Sequence, residues 1–266
     1  MSPVRVSVLL PVGPDAPWLQ ETLASLTTQT YANWELIVVL DGNPHQNRET
    51  IEAAGLKAPT TIIEHSTSQG IARSLNAALH RASGDLIARI DADDLNLPSR
   101  LEKQVAEFDK DDELVLLGTS ANVINHLGQS AGKPRIVPTG DHALKKRLLT
   151  RNSFIHPSVM FRKNVAILIG GYNVHCTRTE DYEFWLRLAI CGRIDNLPEP
   201  LINYRIHEGQ HTSGKHGISK KESDILLATK IKLAKSMQVH PLAVRMFHAI
   251  WRWNRTPHTL WKLNTK

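Results

Sequence analysis

Ile87-Ala88-Arg89-Ile90-Asp91-Ala92-Asp93-Asp94 is the stretch on which the fold turns. A short, mostly apolar run ends abruptly in three carboxylates within four residues. Such a run, bounded by polar residues, reads as a buried strand. The acids then fall where that strand leaves its sheet, and in open α/β sheets ligands bind outside the carboxyl ends of the strands. Three like charges this close call for a neutralising partner, and a hard divalent cation with oxygen ligands supplies one. The plainer alternative is that Asp93 and Asp94 begin a loop before a helix whose first turn holds Pro98.

Outward from this stretch the first half alternates strand and helix. Val6 to Leu10 is a β-branched apolar run ended by Pro11, and Leu19, Leu23 and Leu26 form a helical stripe. Glu35 to Leu40 is a second strand, ending at Asp41-Gly42, and Thr60 to Glu64 a third. Gly70 opens a helix in which Ile71, Leu75, Ala78, Leu79 and Ala82 share a face. Gly84 is expected to close it, and Leu86 to Ile90 is the fourth strand. Nearly continuous apolar strands imply burial on both faces. Alternation with helices implies βαβ crossovers and a mainly parallel sheet, an α/β fold. Pro11, Asp41, His65 and Asp91 are therefore expected along one sheet edge. Neither G-x-G-x-x-G nor G-x-x-x-x-G-K-[ST] follows a strand, since the first one leads into Pro11-Val12-Gly13-Pro14-Asp15. A bound diphosphate would have no glycine cradle and would need a metal instead.

The second half is less regular. Leu114–Leu117 and Ala121–Ile124 read as two strands, His126-Leu127-Gly128 as a turn, and Asp141 to Arg151 as a helix with a basic patch. His156 to Arg162 contains a strand, and Gly170-Gly171-Tyr172 is a break. Thr177 to Ala189 is expected to be an amphipathic helix with acids in its first turn. Leu201 to His207 is a last strand before a polar loop, Glu208 to Gly217. Helical patterning resumes from Ile218, and Pro241 starts a further helix.

The 266 residues suit one large domain, or one with an appendage; 41% are hydrophobic and 22% charged, ordinary values for a soluble globular protein. No apolar run approaches the roughly 18 residues that span a membrane. Met1-Ser2-Pro3-Val4-Arg5-Val6 has no apolar core of a secretory signal. Cys176 and Cys191 lack metal-site spacing, so free thiols in a reducing cytoplasm are expected. The formal charge of +6 is segregated: residues 215–266 hold 11 Lys and Arg against Glu222 and Asp224, whereas residues 1–214 are slightly acidic. In the tail Arg245, His248, Arg252 and Arg255 share one helix face, and Met246, Ile250 and Trp253 another. With Trp251 and Trp261 nearby, this reads as a basic amphipathic membrane-surface element. A helix packed on the body, or a dimer contact, are the alternatives.

Val8-Leu9-Leu10-Pro11, Leu40-Asp41-Gly42, Gly70 to Asn76, the D-x-D of Asp91-Ala92-Asp93, Gly170-Gly171-Tyr172 with Thr179 to Trp185, and Tyr204-Arg205-Ile206-His207 occur in this order. Together they resemble the family 2 glycosyltransferases of GT-A fold, over roughly residues 4 to 212. The non-processive type that builds bacterial surface polysaccharide matches best, because the Gln-x-x-Arg-Trp motif and membrane helices of processive synthases are lacking. Gly13-Pro14 departs from the Tyr-Asn pair often found there. The resemblance implies a GT-A domain over 1–214, with a nucleotide-sugar half (1–118) and an acceptor half (119–214). A basic helical extension, 215–266, follows.

The implied reaction is inverting, metal-dependent transfer of one sugar from a nucleoside diphosphate sugar, a UDP-sugar first, to a hydroxyl of a saccharide or lipid-linked acceptor in cell-surface polysaccharide or lipopolysaccharide synthesis. The enzyme would sit in the cytoplasm, peripheral on the inner face of the membrane. Asp93, Asp91 and His207 would hold Mn²⁺ or Mg²⁺. Pro11, Val12, Asp41, Arg73, Asn76, Asp91, Ala92 and Asp93 would meet the nucleotide-sugar. Asp181 would be the catalytic base and Glu180 its support, in a helix first turn where acids also serve the macrodipole. His156 and Trp185 would line the acceptor side, Tyr172 would pack, and His211 is a second candidate beside His207. A sugar-nucleotide-forming nucleotidyltransferase would want a Gly-rich basic loop after the first strand, which is missing. A nucleic-acid binder is disfavoured by the acidic body and the lack of a matching motif.

Overall fold

The computed structural model describes residues 3–42, 45–209 and 217–253. Eight strands form one sheet in the order β3-β2-β1-β4-β7-β6-β8-β5. β1 (Val6–Val12), β2 (Trp34–Asp41), β3 (Thr60–His65) and β4 (Leu86–Arg89) are parallel neighbours. β7 (Met160–Arg162) runs antiparallel between β4 and β6 (Leu114–Ile124), and β8 (Arg193–Arg205) is parallel to β6. The two-residue β5 (Leu95–Asn96) pairs antiparallel with β8. This gives the expected α/β architecture, and the C-terminal ends of β1 to β4 lie together along one edge.

Side chains alternate across the sheet, as the two-residue strand period demands. Leu9, Ile37, Val39 and Ile87 face one apolar cluster, with helices α3 (Ile71–Arg81), α5 (Asp141–Leu148) and α7 (Glu180–Cys191). Val8, Leu10, Leu36, Val38 and Leu40 face the other, against α1 (Leu19–Thr27), α2 (His45–Ala53) and α4 (Arg100–Lys110). Burial on both sides explains why β2 has no exposed residue.

Several expectations change. Residues 114–124 are one continuous strand with irregular register, not two. The 141–151 helix ends at Leu148. The last strand begins at Arg193, eight residues before Leu201. Gly84 does not cap α3: the chain leaves the helix at Ala82 with φ −57° and ψ 135°. A Cβ on Gly84 would sit 2.6 Å from Arg5 O and 2.8 Å from Ser7 N, so glycine is required there for close backbone approach. α7 is not amphipathic, since Tyr182, Phe184, Trp185, Leu186 and Leu188 are all buried on its several faces. Its outer face is covered by α8 (Lys220–Ser236), and α9 (Pro241–Trp253) packs on α8. Leu226, Leu233, Ala234 and Val244 join the α7 cluster, so the hydrophobic core runs across the charge boundary at 214.

Candidate active site

β4 delivers the acid cluster. Arg89 and Asp91 are two apart and so share a face of the extended chain. Arg89 is buried, and its guanidinium forms a double hydrogen bond with the Asp91 carboxylate. A buried charge without a partner is costly, whereas a paired one is tolerated. His207 Nε2 lies 2.9 Å from Asp93 Oδ2. Asp94 is fully buried and accepts the Arg205 backbone N–H at 2.7 Å. Arg205 also donates from Nε to Asp93 O (2.8 Å) and from Nη2 to Glu21 Oε2 (2.7 Å), with its guanidinium 5.1 Å from the Trp18 ring. Trp18 in turn packs on His207, 4.5 Å between ring centroids. The end of β8 and the end of β4 are therefore locked together, with the short β5–β8 pairing behind them.

Burial, and then the charges of Asp91 and Asp93, push the Asp94 carboxyl well above its ordinary value. Burial also raises Asp91, with Arg89 opposing it. Asp91, Asp93 and Asp94 each offer an oxygen within 4.8 Å of the others, and Asp94 Oδ2 is buried without a hydrogen-bond partner among the described residues. Hard oxygens with one imidazole beside them suit Mg²⁺ or Mn²⁺.

At the ends of β2 and β3, Asp41 is committed inward. Its carboxylate accepts from Gln69 N (2.7 Å), Gly70 N (2.9 Å) and Ser68 Oγ (2.8 Å), and it meets His65 Nδ1 at 2.9 Å. Burial raises its pKa, but these bonds outweigh that and hold it below the ordinary value. Beside it opens a cleft of about 530 Å³ lined by Glu64, His65, Ser66, Gln69, Arg73, Asn76 and Val174. Arg73 is exposed at this cleft, and Asn76 has a further task. Its amide donates to Tyr172 O (2.8 Å) and accepts from Tyr172 N (2.7 Å), tying α3 to the Gly170-Gly171 break. Pro11 is half-buried, as are Asp91, Ala92 and Asp93, whereas the Val12 side chain is buried and leaves only its backbone for a ligand.

Across the edge, α7 presents the second pair of acids. Asp181 is half-buried and accepts from Asn152 Nδ2 at 2.7 Å. Glu180 is buried, and burial followed by the Asp181 charge raises its pKa to about 8. The charge of Asp181 acts on Asp91, and that of Arg89 acts on Glu180, so the two acid groups share one field with Arg89 inside it. The acceptor-side expectation for Trp185 is corrected. Its ring is fully buried among Phe154, His156, Phe161, Tyr172 and Phe184, where no acceptor reaches it. His156 is half-buried, 3.3 Å from Tyr172 Oη, and burial and then Arg89 push it well below its ordinary value, so it is neutral. Tyr172 packs, at 1% exposure. His211 lies outside the described residues.

Arg89, Arg205 and Asn152 were missed by reading the chain alone. For Arg89 a signal existed: a cation two residues before an aspartate on one strand face. Arg205 stands in the Tyr204 to His207 motif with no role given to it; its partners are 79 or more residues away, and the partner of Asn152 is 29 away, so the sequence alone shows neither pairing.

A mostly parallel sheet whose strand ends carry an aspartate cluster, faced by acids at the start of a helix, defines the GT-A class of glycosyltransferase. Solved structures agree on the fold. S. aureus TarS 1–349 in complex with UDP-GlcNAc superposes with TM-score 0.76 at 18% identity, covering 98% of this chain and 76% of that one. The mannosyltransferase PcManGT from Pyrobaculum calidifontis, in complex with GDP-Man and Mn²⁺, superposes with TM-score 0.58 at 17% identity, covering 93% and 69%. The chain spans 46% of the longer TarS structure. The sequence profile of glycosyl transferase family 2 matches residues 7–168, and the chain belongs to that family. It is 31% identical over 189 residues to the amylovoran biosynthesis glycosyltransferase AmsE of Erwinia amylovora, 70% of each chain. It is 32% identical over 215 residues to the O-antigen biosynthesis glycosyltransferase WbnJ of Escherichia coli, 76% of this chain and 80% of that one.

Proposed function

We propose that this glycosyltransferase moves a single sugar from a nucleoside diphosphate sugar, a UDP-sugar first, to a hydroxyl of a saccharide or lipid-linked acceptor in cell-surface polysaccharide synthesis, with inversion. The relatives named for amylovoran and O-antigen synthesis support the pathway class, and the TarS structures with UDP-GlcNAc and UDP support the donor class. The observation that carries the reading is the meeting of two acid groups at one sheet edge: Asp91 with Asp93 from β4, and Asp181 from α7, close enough that the Asp181 charge acts on Asp91.

Asp93, Asp91 and His207 would hold a divalent cation. When bound it supplies neutralisation of the charge that develops on the leaving diphosphate. Arg89 fixes the Asp91 carboxylate, and Arg205 fixes the Asp93 backbone and Asp94, so the cluster is held before a ligand arrives. Asp41 shapes the Ser68–Gly70 turn and Arg73 stands at the cleft, where the nucleoside would lie. At neutral pH Glu180 keeps its proton, which leaves Asp181 as the charged member of the pair. Asp181 takes the proton of the acceptor hydroxyl as that oxygen forms its bond to the anomeric carbon. The bond from that carbon to the diphosphate oxygen breaks on the opposite face, which inverts the configuration. Asn152 holds Asp181 in place, and neutral His156 adds no competing charge.

No helix among the described residues is long and apolar enough to cross a membrane. Contact with an anionic lipid surface would fall to α9. Its Leu242, Met246, Phe247 and Ile250 are 68%, 56%, 43% and 52% exposed.

The test of the chemistry is Asp181→Asn. UDP binding with Mn²⁺, measured by calorimetry, should equal that of the wild type, while transfer from the UDP-sugar falls by about 10²-fold or more, as loss of a general base allows. Near-normal turnover in that variant rejects Asp181 as base.

A further inference from the structure

We propose that Glu222, on the C-terminal helix α8, is a positioning residue for the acid at the start of α7. The proposal rests on the reading of Asp181 as base. Glu222 is 1% exposed, and its Oε1 accepts two hydrogen bonds from the residues that lead into α7: Arg178 N at 2.8 Å and Thr179 Oγ1 at 2.9 Å. Bonds to a buried carboxylate are charge-assisted and stronger than neutral ones.

Both helix starts give up a local contact to make this one. Ser219 caps α8, its Oγ accepting from Glu222 N at 3.1 Å. With Glu three residues on, the pair has the composition of a capping box, in which the Glu side chain would return to the Ser backbone N–H. Here the carboxylate crosses to α7 instead. Thr179 occupies the cap position of α7, where a hydroxyl ordinarily accepts from the helix's own N–H groups. It makes no such cap and donates to Glu222 instead. Two helix N-termini are thereby joined through one oxygen.

A second tie lies one turn further along α7. Thr229 Oγ1 of α8 shares its proton between Ile225 O of its own helix (3.1 Å) and Glu183 Oε1 (3.2 Å), and Glu183 holds Arg187. Arg187 in turn donates to Ile169 O (2.8 Å) and Gly171 O (2.6 Å). Asp181 thus lies between two attachment points on α8, at residues 179 and 183, and the second continues into the Gly170-Gly171 break that Asn76 also holds. The apolar contacts of Leu226 and Leu233 with the α7 cluster keep α8 docked independently of these bonds. Glu222 therefore sets where the first turn of α7 sits, not whether α8 is bound.

A misplacement of about 1 Å at a catalytic group costs on the order of 10²-fold in rate. The experiment uses the full chain with Glu222→Ala, Thr179→Val, Thr179→Ser and Asp181→Asn. UDP release is followed with whichever of UDP-GlcNAc, UDP-glucose and UDP-galactose the wild type turns over fastest, and binding is followed with UDP and Mn²⁺. The expected result is a kcat lower by about 10- to 100-fold in Glu222→Ala and Thr179→Val, with UDP affinity unchanged. Thr179→Ser, which restores the hydroxyl, should recover most of the loss. Wild-type kcat in Thr179→Val, or a fall in kcat matched by an equal loss of UDP affinity, overturns the proposal. If Glu222→Ala does not fold, the Thr179 pair decides alone. Asp181→Asn separates the two readings: turnover there rejects the base, whereas an inactive Asp181→Asn beside a normal Thr179→Val rejects only the positioning role.

Discussion

Glu180 and Asp181 are adjacent in sequence and unlike in surroundings. Glu180 points into the protein at 7% exposure, and its Oε2 has no hydrogen-bond partner among the described residues. Asp181 is half-buried and takes a bond from Asn152. Burial and the neighbouring charge raise Glu180 from the ordinary 4.5 to about 8. The folded chain then keeps a proton that the unfolded chain gives up, so this group favours folding most below pH 4.5. That contribution fades as pH rises and is gone by about pH 8. Glu180→Gln removes the dependence. Its stability advantage over the wild type, from urea midpoints without metal, should widen between pH 5 and pH 8.5. The ceiling is about 5 kcal/mol, at about 1.4 kcal/mol for each tenfold difference in proton affinity between the folded and unfolded chains. A gap that stays constant over that range places the proton elsewhere. At this scale Asp91 and Asp93 stand out in the sequence because acids cluster where an apolar run ends, whereas Asp181 and His207 are reached through the family resemblance. The sequence hides Arg89 inside a run that reads as apolar, and it hides Glu222 and Asn152 because a buried pair is defined by the partner, which only the fold supplies.

Elements were legible where periodicity was clean and obscured where a special residue carried the geometry. The strands β1 to β4 and the helix α3 follow from apolar runs and a helical stripe, and the structure places them accordingly. α4 carries Leu101, Val105 and Phe108 at helical spacing, but the charges among them dominate the eye. The middle of β8 contains Pro198 and Pro200, which argue against a strand interior. They are accommodated at the register shift, where Leu197 pairs with Thr119 and Pro200 already pairs with Ser120. Gly84 illustrates a residue type read correctly as special and assigned the wrong reason. Its φ is not left-handed; its missing Cβ lets the chain before β4 lie against Arg5 and Ser7, where Ser7 Oγ accepts Gly84 N at 2.8 Å and donates to Glu35 at 2.6 Å. Gly84→Ala should therefore destabilise by about 1–3 kcal/mol through overpacking. A helix-cap glycine would instead show its penalty through φ, and Gly84→Asn would then be milder than Gly84→Ala. Equilibrium unfolding of the two variants distinguishes these, since the larger Asn side chain should be worse at a packed contact.

The whole molecule separates charge from chemistry. The body that carries the acids is slightly acidic, and the excess positive charge lies beyond residue 214. α9 is where that charge meets apolar surface. Val244, His248 and Trp251 turn inward: Val244 joins the core, His248 contacts Ser223 Oγ at 3.0 Å and stacks on Trp251, and Trp251 meets Tyr182 edge-on at 6.2 Å. The expected basic face through Arg245, His248 and Arg252 is thus interrupted, because His248 is buried and only the two arginines are exposed. Arg255, Trp261 and the Trp253 side chain lie outside the described residues. Leu242, Met246 and Ile250, four residues apart in turn, face outward with nothing among the described residues covering them. Tyr182 follows Asp181 directly, so Trp251 links α9, which packs on α8, to the first turn of α7 by one aromatic contact. Replacing Leu242, Met246 and Ile250 together by Ser leaves the inner face intact, so the melting temperature should stay near that of the wild type. Sedimentation with vesicles containing anionic lipid should drop several-fold, and the wild-type sedimentation should weaken with salt as the contributions of Arg245 and Arg252 are screened. Equal sedimentation of the triple variant and the wild type would remove α9 from the membrane and leave its outer face to a second copy of the chain, which a concentration-dependent mass in light scattering would then reveal.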